Sequence, residues 1–146
     1  MRKANLIFVL LLSLTAVAEQ HTLEQLKAEA EKASGGHQAQ LYGTLAQRMV
    51  DVADQQFAEG QSINGHESIR QSLEYATKAH DIALSTRKKL KEVEISLRLT
   101  QRRIDAVRHT LSVEDRPDLD QAEKKLADFR QEILNAMFAP RRKDKR

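Results

Sequence analysis

Histidine is the residue type that would most directly do chemistry in this sequence, because it binds metals and exchanges protons near neutral pH. The 146-residue chain has five, at His21, His37, His66, His80 and His109. None lies three or four positions from another and no Glu-x-x-His pair occurs, so no helix would present a two-ligand face. His37 and His66 fall at predicted helix starts, and His80 and His109 lie off the main apolar seam, which favours capping or solvated side chains. We therefore expect no metal site.

Nucleophilic catalysis has no better support in the sequence. The chain contains no Cys, which excludes Cys-ligated zinc and iron–sulfur clusters. It also lacks a Gly-x-Ser-x-Gly elbow and a Gly-rich phosphate loop. Hydroxyl side chains at Ser72, Thr86 and Thr100 follow a helical seam, where such residues pack and bond back to the helix. We expect neither enzymatic activity nor a cofactor.

Basic residues form the one charge feature above background. The candidate site for an anionic partner consists of Arg87, Lys88, Lys89 and Lys91, together with Arg141, Arg142 and Lys143 of the C-terminal tail. If the third helix is straight, the tail returns beside Arg87–Lys91 and completes a basic belt for anionic envelope polymer, lipid head groups or an acidic protein. The alternative, which we favour, is that acidic residues of segment 19–59 neutralise this face. Acidic residues outnumber basic ones across 19–140, so we expect no nucleic-acid binding.

The first 18 residues have the pattern of an export signal. Arg2 and Lys3 precede an apolar stretch over 6–17, and Ala16-Val17-Ala18 supplies a small-x-small cleavage site. The stretch is shorter than the roughly 20 residues of a membrane-spanning helix. We expect a signal peptide at 1–18 and an exported chain, periplasmic or secreted, with no membrane span after cleavage. An uncleaved anchor is the alternative.

The remaining sequence predicts one all-helical domain over 19–140, followed by a mobile basic tail at 141–146. Helices are expected at about 22–33, 38–59, 67–111 and 118–138. The third is the most regular, since segment 66–116 has no Gly or Pro and apolar residues recur at every seventh position. These seam residues are Ile69, Ala76, Ala83, Leu90, Leu97, Ile104 and Leu111.

Helix lengths then constrain the architecture. The second and fourth helices are each about half as long as the third, and short turns make consecutive helices antiparallel neighbours. The pattern predicts elongated antiparallel hairpins, or a coiled-coil-like bundle, built on one long central helix. Either that helix is a straight rod, or it breaks near Ser85–Lys89 and the hairpins fold together. The unbroken heptad favours the rod.

Two stretches resemble known helical proteins. Ala53-Asp-Gln-Gln-Phe57-Ala-Glu-Gly60, followed by Leu73-Glu-Tyr-Ala76-Thr-Lys-Ala79, resembles part of a tetratricopeptide hairpin, without a second copy at that repeat's period of about 34 residues. The stretch from Ser85-Thr-Arg-Lys-Lys-Leu through Leu111-Ser-Val-Glu-Asp-Arg-Pro-Asp118 resembles a family of uncharacterised exported helical proteins of bacteria. That resemblance implies export and an all-helical fold, and it transfers no site residues.

A leftover apolar edge on the third helix suggests what the chain does. This edge consists of Tyr75, Ile82, Leu84, Ile95 and Leu99, and helix 1, a second copy or another protein would cover it. We therefore expect a non-enzymatic exported protein that mediates protein association in the cell envelope. The alternatives are a helical carrier of a small apolar or anionic ligand, and electrostatic attachment to anionic envelope polymer through Arg87–Lys91 and the tail.

Overall fold

The computed structural model describes residues 22–140, which form five α-helices and one short 3₁₀ turn. The helices are α1 (residues 22–32), α2 (Gly35–Ala58), α3 (Ser62–Thr86), α4 (Leu90–Thr110) and α5 (Pro117–Phe138), with the 3₁₀ turn at Val113–Asp115. No strand occurs within 22–140, and the predicted all-α class is confirmed. The predicted signal peptide at 1–18 and the tail at 141–146 lie outside the described residues.

The single straight helix predicted over 67–111 is wrong, because the chain turns between Thr86 and Leu90 and separates α3 from α4. Arg87 and Lys89 have φ angles of 52° and 58°. This left-handed conformation costs a non-glycine residue roughly 1–2 kcal/mol. The alternative that the sequence left open, a break near Ser85–Lys89, is the one that forms.

Burial explains why the break is favourable. Val93, Leu97 and Ile104 of α4 are fully buried, which is worth about 1.5–3 kcal/mol for each side chain. Folding back at 87–89 lets α4 pack on α2 as well as on α5. Contact with α2 adds to the burial that α5 already provides, and this addition offsets the strain at Arg87 and Lys89.

The chain thus forms two antiparallel hairpins, α2–α3 and α4–α5, that lie side by side. In one layer α2 runs parallel to α4. Gly36 lies beside Lys89, Gly43 lies beside Ser96, and Asp51 forms an ion pair with Arg103.

The second layer repeats this parallel arrangement with α3 and α5. His66 Nδ1 lies 3.3 Å from Asp118 Oδ2, and His80 Nε2 lies 2.9 Å from Glu132 Oε2. Further along, the Arg87 guanidinium donates to the Ala136 carbonyl at 2.7 Å. Because α3 runs parallel to α5 and α2 parallel to α4, the fold is a stack of two hairpins.

The small seam residues bring α2 and α3 close together. The Ser72 hydroxyl donates to the Ala46 carbonyl at 2.6 Å, directly across the hairpin. Ala76, Ala79 and Ala83 are fully buried in the same core. These alanines fill the seam by close helix contact, the arrangement expected of small side chains at a helix interface.

The helix α1 covers one edge of the stack. Ala30 is fully buried, and its carbonyl accepts a hydrogen bond from Gln38 Nε2 at 2.9 Å. With 3.6 residues per turn, Gln38 lies on the side of α2 away from Gly36 and Gly43. The edge covered by α1 is therefore opposite the one that α4 occupies.

Candidate functional site

The four predicted cations of the third helix lie at one end of the stack. Arg87, Lys88 and Lys89 form the α3–α4 turn, and Lys91 follows in the first turn of α4. All four side chains are exposed. Lys89 Nζ lies 3.4 Å from Glu92. A backbone N–H that donates to the Glu92 carboxylate lowers the pKa of Glu92, and the ammonium groups of Lys89 and Lys91 lower it further.

This end of the molecule carries a hollow of about 740 Å³ between the α3–α4 turn and the last turn of α5. It is lined by Thr86, Arg87, Lys88, Leu90, Ala136, Met137, Ala139 and Pro140. Pro140 is the last described residue, and the predicted site residues Arg141, Arg142 and Lys143 follow it in the sequence. Those three residues lie outside the described part of the chain.

The predicted apolar edge does not form one continuous strip. Tyr75, Ile82 and Leu84 belong to α3 and are half-buried against the core. The Tyr75 ring stacks on Tyr42 at a centroid distance of 5.9 Å. Ile95 and Leu99 belong to α4, and Leu99 is 40% exposed. The turn at 87–89 divides the five residues between two helices.

Ile95 and Leu99 lie one helical turn apart on the solvent face of α4. Helical geometry puts Arg102 on the same face and Arg98 at its border. Arg102 is exposed and has no ion pair among residues 22–140. Arg98 reaches only a distant carboxylate oxygen of Glu94, at 3.9 Å. We call Ile95, Leu99, Arg98 and Arg102 the outer α4 face.

A charged groove that sequence reasoning missed runs along the free edge of the stack, between α4 and α5. Glu94 is only 8% exposed, and its Oε1 accepts a hydrogen bond from Arg130 Nε at 3.0 Å. Arg130 also donates to Gln101 at 2.9 Å. The hollow in this groove measures about 240 Å³. The three-residue and four-residue spacings of Glu94, Arg98, Gln101 and Asp105 would have indicated a shared helix face.

The same groove continues into a cluster around Arg108. Its guanidinium donates to Asp105 at 2.7 Å and lies 2.9 Å from Glu123 and 3.4 Å from Asp120. The hydrogen bond from Arg108 lowers the pKa of Asp105. Burial raises the pKa of Glu123, with Arg108 opposing the shift. Most opposite charges are paired along the groove, and the two arginines of its lining without a close carboxylate, Arg98 and Arg102, lie on its α4 side.

His80 corrects the expectation that the histidines are solvated or capping. It is 6% exposed, and its ring stacks on Phe129 at a centroid distance of 4.3 Å. Its Nδ1 lies 2.8 Å from Asp81 and its Nε2 lies 2.9 Å from Glu132. The sequence placed His80 off the seam correctly, but the parallel docking of α5 covers that side of α3.

His66 sits at the opposite end of the stack from the basic turn. Its Nε2 lies 3.2 Å from Asp115 Oδ1, and the Asp115 carboxylate also accepts hydrogen bonds from Ser62 at 3.1 Å and Ser112 at 3.0 Å. These hydrogen bonds, that of His66 first, lower the pKa of Asp115. The cluster ties the start of α3 to the α4–α5 connection, so its evident role is to hold the two hairpins together.

No group of three or more His, Asp or Glu side chains within residues 22–140 is arranged to hold a metal ion. No helix in the same range combines the length and apolarity needed to cross a bilayer.

Comparisons with known proteins give no family for this chain. No protein-family model, curated protein or solved structure matches it. The geometry of the described side chains is therefore the basis for a proposal about function.

Proposed function

We propose that this chain is an exported, non-enzymatic helical protein of the cell envelope that acts by binding another protein through the outer α4 face. The observation that carries the proposal is the exposure of Leu99, beside Ile95, between arginines that lack close carboxylate partners. Most other large apolar side chains of α2 to α5 pack into the core.

The chemistry of this face indicates the kind of partner. Two aliphatic side chains one turn apart suit an amphipathic helix, whose apolar face docks with a spacing of three and four residues. Arg98 and Arg102 would pair with carboxylates at the rim of such a contact, and arginine is enriched in protein interfaces. The partner is therefore an acidic amphipathic helix.

Export, the other half of the proposal, is supported by residues 1–18, with their basic start, short apolar stretch and Ala16-Val17-Ala18 site. Edman sequencing of protein purified from the producing cell tests this. We expect the mature chain to begin at Glu19, and an intact N-terminus in cytosolic protein would contradict export.

Photo-crosslinking in the producing cell tests the binding face. A photoreactive phenylalanine analogue placed at Leu99 should give a discrete crosslinked protein band. The matched control places the same analogue at Ile63, which is 86% exposed on α3 near the opposite end. A band at position 99 that disappears with Arg98→Glu/Arg102→Glu supports the proposal. Equal bands at both positions, or none at position 99, refute it.

A further inference from the structure

The last turn of α5 presents an aromatic side chain to solvent. Phe138 is 81% exposed, although a phenylalanine of this size is normally covered. Leu90, Met137 and Pro140 lie close by as lining of the 740 Å³ hollow. This end of the stack therefore combines an exposed ring with an apolar recess.

The cations of the α3–α4 turn border this hollow, and most of them have no carboxylate partner among residues 22–140. The hydrogen bond of the Arg87 guanidinium goes to a neutral carbonyl, that of Ala136. The side chains of Lys88 and Lys91 have no ion pair among residues 22–140, and only Lys89 has a carboxylate partner, Glu92.

We propose that this end, formed by residues 86–91 and 136–140, docks on the surface of an anionic lipid bilayer. The Phe138 ring would enter the interface between head groups and acyl chains, where aromatic side chains are favoured. The cations would contact lipid phosphates, since clusters of four to eight Lys and Arg bind anionic membrane surfaces. A purely polar polyanion would use the cations and leave Phe138 without a role.

A second copy of this chain is a poorer occupant, because most carboxylates at the opposite end already lie beside His66 or Arg108. Asp115 and Asp118 are both engaged by His66, and Asp120 lies beside Arg108. Glu114 is a carboxylate at that end without an ion pair in the described residues. Glu59 is another such carboxylate, so the cations near Phe138 would meet few unpaired carboxylates at the opposite end of a second copy.

The absence of tryptophan from the chain permits a position-specific test. In the full chain, Phe138→Trp introduces a single indole at the proposed contact. The matched control is Val113→Trp, at a site 74% exposed at the opposite end. We expect vesicles of equimolar phosphatidylcholine and phosphatidylglycerol to shift the emission of the position-138 indole to shorter wavelength. Lipids brominated in the acyl chain should quench it, whereas the position-113 indole should keep its emission in water.

Charge substitutions test the electrostatic half of the proposal. Lys88→Gln should weaken the partition of the chain onto these vesicles about fivefold, since a Lys near an anionic surface contributes about that factor. The matched control is Lys124→Gln, an exposed lysine on α5 away from this end, and it should leave partition unchanged. Raising the salt concentration should release the protein, because exposed charges are screened.

Separate arms of the experiment distinguish other sources of phosphate and other occupants. Soluble glycerol phosphate, added at the phosphate concentration of the vesicles, should not shift the position-138 emission. If it shifts that emission as fully as vesicles do, the site binds free phosphate and the bilayer proposal is overturned. An equal shift at positions 113 and 138, or a shift that depends on protein concentration without vesicles, also overturns it. A negative result with vesicles would not contradict protein binding at the outer α4 face, because crosslinking at Leu99 tests that proposal separately.

Discussion

Replacing Gly43 by Ala tests the side-by-side stacking of the hairpins. In an isolated helix, alanine is more stable than glycine by about 1 kcal/mol. In this fold the added Cβ would lie 2.9 Å from Ser96 Cβ and 3.0 Å from its Oγ. Ordinary carbon–carbon contacts are about 3.5–4.0 Å, so α2 and α4 must move apart. Overpacking of this kind costs about 1–3 kcal/mol, and we expect Gly43→Ala to lower the free energy of unfolding by up to about 2 kcal/mol.

Second substitutions at position 96 show whether the contact with Ser96, and not a general loss of stability, causes the effect of Gly43→Ala. Ser96→Gly removes the opposing Cβ, so in that background Gly43→Ala should become stabilising by about 1 kcal/mol. Ser96→Ala retains the Cβ and should leave most of the penalty in place. Urea denaturation followed by far-ultraviolet circular dichroism measures each variant. If Gly43→Ala stabilises the protein with Ser96 intact, α2 does not lie against α4 and the stacked arrangement is incorrect.

Three further predictions concern the α3–α4 turn, the pH dependence of stability that Asp115 causes, and the Glu94–Arg130 ion pair. Lys89→Gly should stabilise the chain by about 0.5–1 kcal/mol in urea denaturation, because it relieves a left-handed residue, whereas Lys91→Gly inside α4 should destabilise it by a similar amount. The lowered pKa of Asp115 means that its stabilisation is present above the unfolded value of 3.8 and is lost as pH falls through the lower folded value. Asp115→Asn should therefore be less stable at neutral pH, with a difference in urea midpoint that shrinks on acidification; a constant difference would contradict this. Glu94→Ala and Arg130→Ala should each cost about 1–3 kcal/mol, and the double variant should cost clearly less than their sum.

Amino-acid pattern alone predicts the helices well, because their apolar periodicity is strong. The seam that contains Leu97 and Ile104 is fully buried at these positions, as its sevenfold spacing indicates. The same spacing gives no indication of the α3–α4 turn, because Ala83 and Leu90 remain seven residues apart on either side of it. The break occurs at Arg87 and Lys89, residue types that rarely adopt positive φ, so the docking of α4 on α2 contributes more to it than the local sequence does.

Local signals for the break were present but weak. Ser85 and Thr86 both donate to the Ile82 carbonyl, at 3.1 Å and 2.7 Å, and the Lys88 N–H lies 3.4 Å from the Thr86 hydroxyl. Adjacent Ser and Thr compete with the helical backbone for such bonds. The sequence also marked Arg87–Lys91 as a basic site, whereas the neighbouring exposure of Phe138 depends on how α5 ends and cannot be derived from periodicity.

The charged groove along Glu94, Arg98, Gln101 and Arg130 has a consequence for assembly. Helical-repeat proteins extend by adding units to an apolar edge, and their terminal units carry a polar outer surface that stops growth. Here that groove lies on the edge of α4 and α5 where a third hairpin would dock, and α1 closes the other edge. One edge of the stack is therefore covered by α1 and the other is lined by charged side chains, which disfavours the docking of a third hairpin in line with these two.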